Sequence, residues 1–296
     1  MFLKRFSAFA LGLMWSVSAM SEDLAVLIQQ ANAGDTEAQI ALASYYQEHQ
    51  DYENFILWIK MLAGEGIAQA QYNLGLLYEQ GLGITQDYAQ AGEWFLKAAE
   101  QGVAEAQFNL GVMYKQGLGI AQDYVQASKW FLKAAEQGVA EAQFSAGNMY
   151  YQGLGVDKDY KQASYWFLKA AEQGHIKAQF NLGLMYNQGL GGSQDYHQAK
   201  EWYLKAAEQG DAVAQYNLGF MFYSGEGIGQ DEAQAVRWFL AAAKQGDVQA
   251  QFNLGVMSLR GQGMAQDHAA AKQWFKKACD DGSQKGCEAF RGLEEK

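Results

Sequence analysis

The 296-residue chain has no proline, only two cysteines and only four histidines, and its 22 Lys and Arg are outnumbered by 33 Asp and Glu. Each shortage closes off a class of protein. Without proline nothing interrupts a helix from within, and 49% hydrophobic with 19% charged residues suits a soluble helical protein. A net charge of −11 leaves no basic stripe to displace counterions, which argues against nucleic acid and against direct docking on an anionic lipid surface. His49, His175, His197 and His268 show no H-x-x-x-H or H-E-x-x-H spacing. They read as exposed surface residues rather than metal ligands or catalytic bases. No S-x-x-K, G-x-S-x-G or P-loop pattern is present.

What the sequence does contain is one stretch copied many times. Ala106 to Gly138 reads A-Q-F-N-L-G-V-M-Y-K-Q-G-L-G-I-A-Q-D-Y-V-Q-A-S-K-W-F-L-K-A-A-E-Q-G, and its grammar returns every 36 residues, with Gln71, Gln107, Gln143, Gln179, Gln215 and Gln251 equivalent. Self-similarity at such a period predicts a helical repeat array. Ala106, Leu110 and Met113 share a helical face, with Gly111 and Tyr114 beside them, and mark a first helix, A. Gly117 and Gly119 break it. Asp123 opens a second helix, B, as an N-cap, with Gln126 placed to reach back as a capping box. The pair recurs at Asp87/Gln90, Asp159/Gln162, Asp195/Gln198 and Asp231/Gln234. Helix B carries the apolar stripe Ala127, Trp130, Phe131, Ala134 and Ala135, and Gly138 ends it as a left-handed C′ residue. Gly111 and Ala127 are expected to let the helices approach closely, with Trp130 filling the space beside them. Trp recurs at 94, 130, 166, 202, 238 and 274. The repeated acids, including Asp267, read as caps, and Met113, Met149, Met185, Met221 and Met257 as core.

This pattern closely resembles the Sel-one-like repeat family, a cousin of the tetratricopeptide repeat, over about residues 34–292. The resemblance implies an all-α, right-handed α/α superhelix, that is, a solenoid of helix-turn-helix repeats. Residues 1–19 read as a secretory signal. Lys4 and Arg5 precede the apolar run Ser7 to Val17, and Val17-Ser18-Ala19 is an acceptable cleavage site. An N-terminal membrane anchor is the alternative, but the run is short for a span. Leu24, Leu27 and Ile28 mark a capping helix over 20–33. A single solenoid domain is expected over 34–292: a short first repeat from about Gly34 to Gly66, then six full ones beginning near Gly66, Gly102, Gly138, Gly174, Gly210 and Gly246. A tail of 293–296 follows, and the polar stretch from Glu288 to Lys296 reads as a closing cap. Ser145, Ala146, Asn148, Tyr150 and Tyr151 in the third repeat, and Gly191-Gly192-Ser193 in the fourth, depart from the pattern. Drift at tolerant positions explains them at least as well as a specialised site.

Cys279 falls late in the last helix B and Cys287 early in the helix after it, so a helix hairpin could bring them together, and a disulfide suits a secreted chain. The C-x7-C spacing also resembles the bridge of cysteine-rich secreted members of the family. Two buried free thiols remain the alternative at this stage. A metal site is disfavoured because no histidine accompanies them.

The resemblance implies a non-enzymatic scaffold or adaptor of the bacterial cell envelope, periplasmic or secreted. It would hold a protein or an extended peptide in its concave groove, with no cofactor, no nucleic acid and no stable membrane insertion after signal cleavage, and most simply as a monomer. Relatives described as penicillin-binding or weakly β-lactamase-like supply the alternative, a cell-wall hydrolase. Asn73, Asn109, Asn181, Asn217 and Asn253 each stand two residues after the repeat glutamine. Asparagine is a poor interior helix former, so its recurrence calls for a reason. One reading places these amides in the groove against a ligand backbone, with Ser145 breaking the ladder and Asn148 near it. The other bonds each amide to an adjacent repeat.

Overall fold

A computed structural model of the protein describes residues 20–294, and the expected signal segment, 1–19, lies outside them. Among the described residues every regular element is an α-helix. After α1 (Met20–Asn32), helices alternate between the A and B types. The A helices are α2 (Thr36–Glu48), α4 (Ala68–Gln80), α6 (Ala104–Gln116), α8 (Ala140–Gln152), α10 (Ile176–Gln188), α12 (Ala212–Ser224), α14 (Val248–Arg260) and α16 (Gln284–Glu294). The B helices are α3 (Tyr52–Gly64), α5 (Tyr88–Glu100), α7 (Tyr124–Glu136), α9 (Tyr160–Glu172), α11 (Tyr196–Glu208), α13 (Glu232–Lys244) and α15 (His268–Asp280).

The chain forms two compact units. The first runs up to Ala142 and takes in Leu154–Asp157; the second consists of Gln143–Gly153 and everything from Lys158 onward, so the division falls within α8. In the first unit successive helices from α1 to α7 pack on one another, and in the second those from α9 to α16 do. Leu24, Leu27 and Ile28 of α1 pack against the first unit's core. The core of each unit is drawn from facing stripes of A and B helices: Ala106, Leu110 and Met113 with Trp130 in the first, and Ala214, Leu218 and Met221 with Tyr203 and Trp238 in the second. Met149, Met185 and Met257 are buried too, as expected of a packing row.

Trp130 fills space beside the small residues, as expected, but the ring that enters the glycine notch itself is the next one along the stripe. A Cβ added to Gly111 would stand 2.7 Å from Cδ1 of Phe131, and one at Gly183 would stand 2.7 Å from Cδ1 of Tyr203. The residue after each tryptophan therefore enters the notch, and Trp130 packs beside it, buried, with the Lys133 ammonium 4.3 Å from its ring centroid. Backbone geometry explains the difference. Successive residues of a helix point about 100° apart, so only one of Trp130 and Phe131 can face Gly111.

The junction between helices departs from expectation. The Asp123 carboxylate accepts from the amides of Val125 (2.8 Å) and Gln126 (3.0 Å), as an N-cap should. The reciprocal half of a capping box is absent, because the Asp123 N–H already donates to the Tyr114 carbonyl at 2.9 Å. The same clamp joins Asp87 to Tyr78, Asp195 to Tyr186, Asp231 to Phe222 and Asp267 to Ser258, each at 2.9 Å. The preceding glutamine completes the turn: Gln122 Nε2 donates to the Lys115 carbonyl at 2.8 Å, satisfying a carbonyl at the C-terminal end of α6. The first hairpin lacks the G-x-G loop and turns instead through Gln50 at φ +58°, the one non-glycine residue with positive φ among those described.

Candidate functional site

The asparagine row does not behave as one set. Asn73 is fully buried (0% exposed), and its Oδ1 is 3.5 Å from the Gln69 amide nitrogen. No ligand can reach it without displacing its neighbours, so its place in a binding groove is withdrawn. Asn217 donates to the Val213 carbonyl of its own helix at 2.8 Å, and Asn148 does the same to Phe144 at 3.0 Å. Asn253 bonds to the Tyr216 side chain of the preceding repeat, as the stack-ordering alternative requires. Burial, more than the charge of Asp247, raises the Tyr216 phenol above its ordinary range, and the Asn253 bond partly offsets this. Asn109 and Asn181 are half-buried, and their side chains make no hydrogen bond among the described residues. Ser145 is half-buried on α8.

The amides that tie repeat to repeat are glutamines. In the first unit, Gln107 donates through Nε2 to the Ala99 carbonyl (3.0 Å) and accepts at Oε1 from Gln137 Nε2 (2.8 Å). Gln71 does the same with Ala63 and Gln101. In the second unit, Gln179 pairs with Ala171 and Gln209, and Gln215 with Ala207 and Gln245. Gln101 and Gln245 also donate to the carbonyls of Gly66 and Gly210 one repeat back, each at 2.9 Å. In the last repeat Asp281 stands where the five before it have glutamine, as Glu65 does in the short first repeat. A carboxylate can only accept, and Gln251 turns its Nε2 toward it at 2.8 Å. Sequence reading used these glutamines only to set the register. The recurring Gln-Gly at the end of helix B was the available signal for their partners.

The remaining candidates are placed as follows. Cys279 and Cys287 are joined as a disulfide, their Cα atoms 4.4 Å apart, closing the turn between α15 and α16. His175 is not the exposed residue expected. Its ring stacks on Phe144 with centroids 4.5 Å apart, and its Nδ1 accepts from the Ala178 amide at the start of α10. His49 stays near the surface with Nδ1 2.8 Å from the Tyr45 carbonyl, and His268 lies beside Gln266. Among the described residues no group of three or more His, Cys, Asp or Glu could hold a metal, and no helix is long and apolar enough to cross a membrane.

Such an array of helix pairs, joined by capped turns and buried amides, defines a helical-repeat protein. The Sel1 repeat family profile matches six consecutive segments, residues 68–103, 104–139, 140–175, 176–211, 212–247 and 248–283. The chain belongs to the Sel1 repeat family. It is similar to a protective antigen of uropathogenic Escherichia coli displaying an SLR fold, at 39% identity and TM-score 0.85 over 92% of this chain. It spans 59% of that antigen's length. A Sel1 repeat protein from Oxalobacter formigenes is similar at 35% identity and TM-score 0.72, covering 80% of this chain and 98% of that one. No curated protein matches.

Proposed function

We propose that the chain is a non-enzymatic adaptor of the bacterial cell envelope that holds a partner protein or extended peptide against its A helices. The observations that carry this reading are taken unit by unit: Asn109 in the first unit and, separately, Asn181 in the second. Each presents a half-buried side-chain amide without a protein partner, and each offers a donor and an acceptor to a ligand backbone whatever its sequence. In the second unit Asn217 and Asn253, already bonded within the protein, supply at most a remaining acceptor or donor beside Asn181. An envelope address is supported by the signal-like residues 1–19 and by the Cys279–Cys287 bridge. The description of a similar chain as a protective antigen fits the same address. The test is an envelope pull-down with mass spectrometry, repeated with Asn109→Ala and Asn181→Ala. The partner should be lost from the variants while their melting temperature stays that of the parent. A lowered melting temperature with the partner retained would assign these amides to the stack instead.

A further inference from the structure

Three A helices of the second unit, α10, α12 and α14, are unusual for so acidic a chain. From α10 to α14, the sequences IKAQFNLGLMYNQ, AVAQYNLGFMFYS and VQAQFNLGVMSLR contain no carboxylate, and their only charges are Lys177 and Arg260. In the first unit, α4 and α6 each carry a glutamate. The middle helix, α12, has no charge and is apolar on both sides. One side is buried through Ala214, Leu218 and Met221; the other exposes Val213 (50%) and Phe220 (44%) at i and i+7, with Asn217 between them.

The 36-residue register places Lys177, Asn181 and Leu184 of α10 at the same azimuth as Val213, Asn217 and Phe220 of α12. Gln249, Asn253 and Val256 of α14 repeat it, and Arg260 falls one turn beyond. Leu184 packs against the cluster that holds Leu218 and Met221, and Tyr216 bonds Asn253, so α10 and α14 flank α12. Tyr216 and Phe220 stack with centroids 6.4 Å apart, which stiffens the aromatic surface. Asp211 and Asp247 cap α12 and α14 by accepting from the amides of Ala214 and Ala250, each at 2.7 Å. Glu226 accepts from the Tyr196 hydroxyl.

We infer that this face binds an extended, acidic segment of a partner protein that carries a bulky apolar side chain. The inference rests on the adaptor reading above and names its ligand. Phe220 and Val213 take the apolar side chain, which leaves water for a surface that is itself apolar. Asn181 meets the main chain. Lys177 and Arg260, exposed on opposite flanks and in no ion pair among the described residues, take the carboxylates. A basic segment would find no carboxylate on these three helices, and the net charge of −11 would favour it at many other places, so this face discriminates by sign.

The experiment uses the whole chain and a panel of short fluorescein-labelled peptides read by fluorescence anisotropy. One peptide places phenylalanines between glutamates, a second replaces the glutamates with lysines, and a third replaces the phenylalanines with serines. The glutamate–phenylalanine peptide should bind about tenfold more tightly than either other, and Phe220→Ala should remove about that margin. Lys177→Glu with Arg260→Glu should invert the preference toward the lysine peptide. These residues are exposed, so an unchanged melting temperature accompanies each effect. Equal binding of all three peptides, no binding of any, or binding indifferent to these variants overturns the inference. So does concentration-dependent self-association abolished by Phe220→Ala, which would give the face to a second copy of the chain. A partner whose capture depends on Asn109 and Asn181 but not on Phe220 would leave the adaptor reading standing while this one fails.

Discussion

Gln137 reaches from the end of α7 to place its Nε2 2.8 Å from Oε1 of Gln107, thirty residues earlier. Gln107 is itself buried and donates to Ala99, so one amide joins three successive helices. A buried amide that loses its partner bears the full cost of desolvation.

Gln107→Leu should therefore destabilise the protein by about 1–3 kcal/mol, because two hydrogen bonds go together: the one to the Ala99 carbonyl, which keeps only backbone donors such as the Gly102 N–H, and the one from Gln137. Gln137→Ala should cost less, since Gln137 is largely exposed and water replaces part of what is lost. Urea unfolding monitored by circular dichroism measures both. Equal effects would mean that Gln107 does not tie the helices together.

Phe131→Ala should cost about 3–5 kcal/mol, since it empties a fully buried site against Gly111. Trp130→Ala should fall in the same range at its lower end, because Trp130 keeps some exposure and the Lys133 ammonium lies over its ring. Gly111→Ala should also destabilise, because its new methyl group would meet the Phe131 ring. The Phe131→Ala, Gly111→Ala double variant should recover part of the loss. A strictly additive double variant would show that the two residues do not share the notch.

The exported protein should carry the Cys279–Cys287 bond and begin near Met20. Intact mass before and after reduction reads both properties. Reduction should loosen α16 selectively, since the bond closes only the final turn. Proteolysis in reductant should then cut near the C terminus first. Free thiols in protein isolated from the envelope would contradict the pairing.

The repeat, its helix boundaries, its caps and its methionine row were legible because each rests on residues that recur in register. The same recurrence drew attention away from the face inferred above. A copied residue such as Gln107 or Gly111 serves the stack, which every repeat must form, whereas Lys177, Phe220 and Arg260 stand out by breaking the copy. The choice between Trp130 and Phe131 for the glycine notch was not decidable from spacing, since both lie on the same apolar stripe and differ only in azimuth. Asparagine drew attention through its low helix propensity, yet propensity does not say whether an amide is bonded to its own helix, as Asn217 is, or to a neighbour, as Asn253 is.

The clamp from the Asp123 amide to the Tyr114 carbonyl has a kinetic consequence. Helix B cannot fray at its start without freeing the end of helix A, and the two must open together. Amide hydrogens on the two sides of such a junction should exchange with solvent at matched rates, even though they belong to separate helices. The smallest piece of this protein able to open and reclose is then a whole hairpin. A partner that pins one A helix would slow exchange in the B helix behind it, which it never touches.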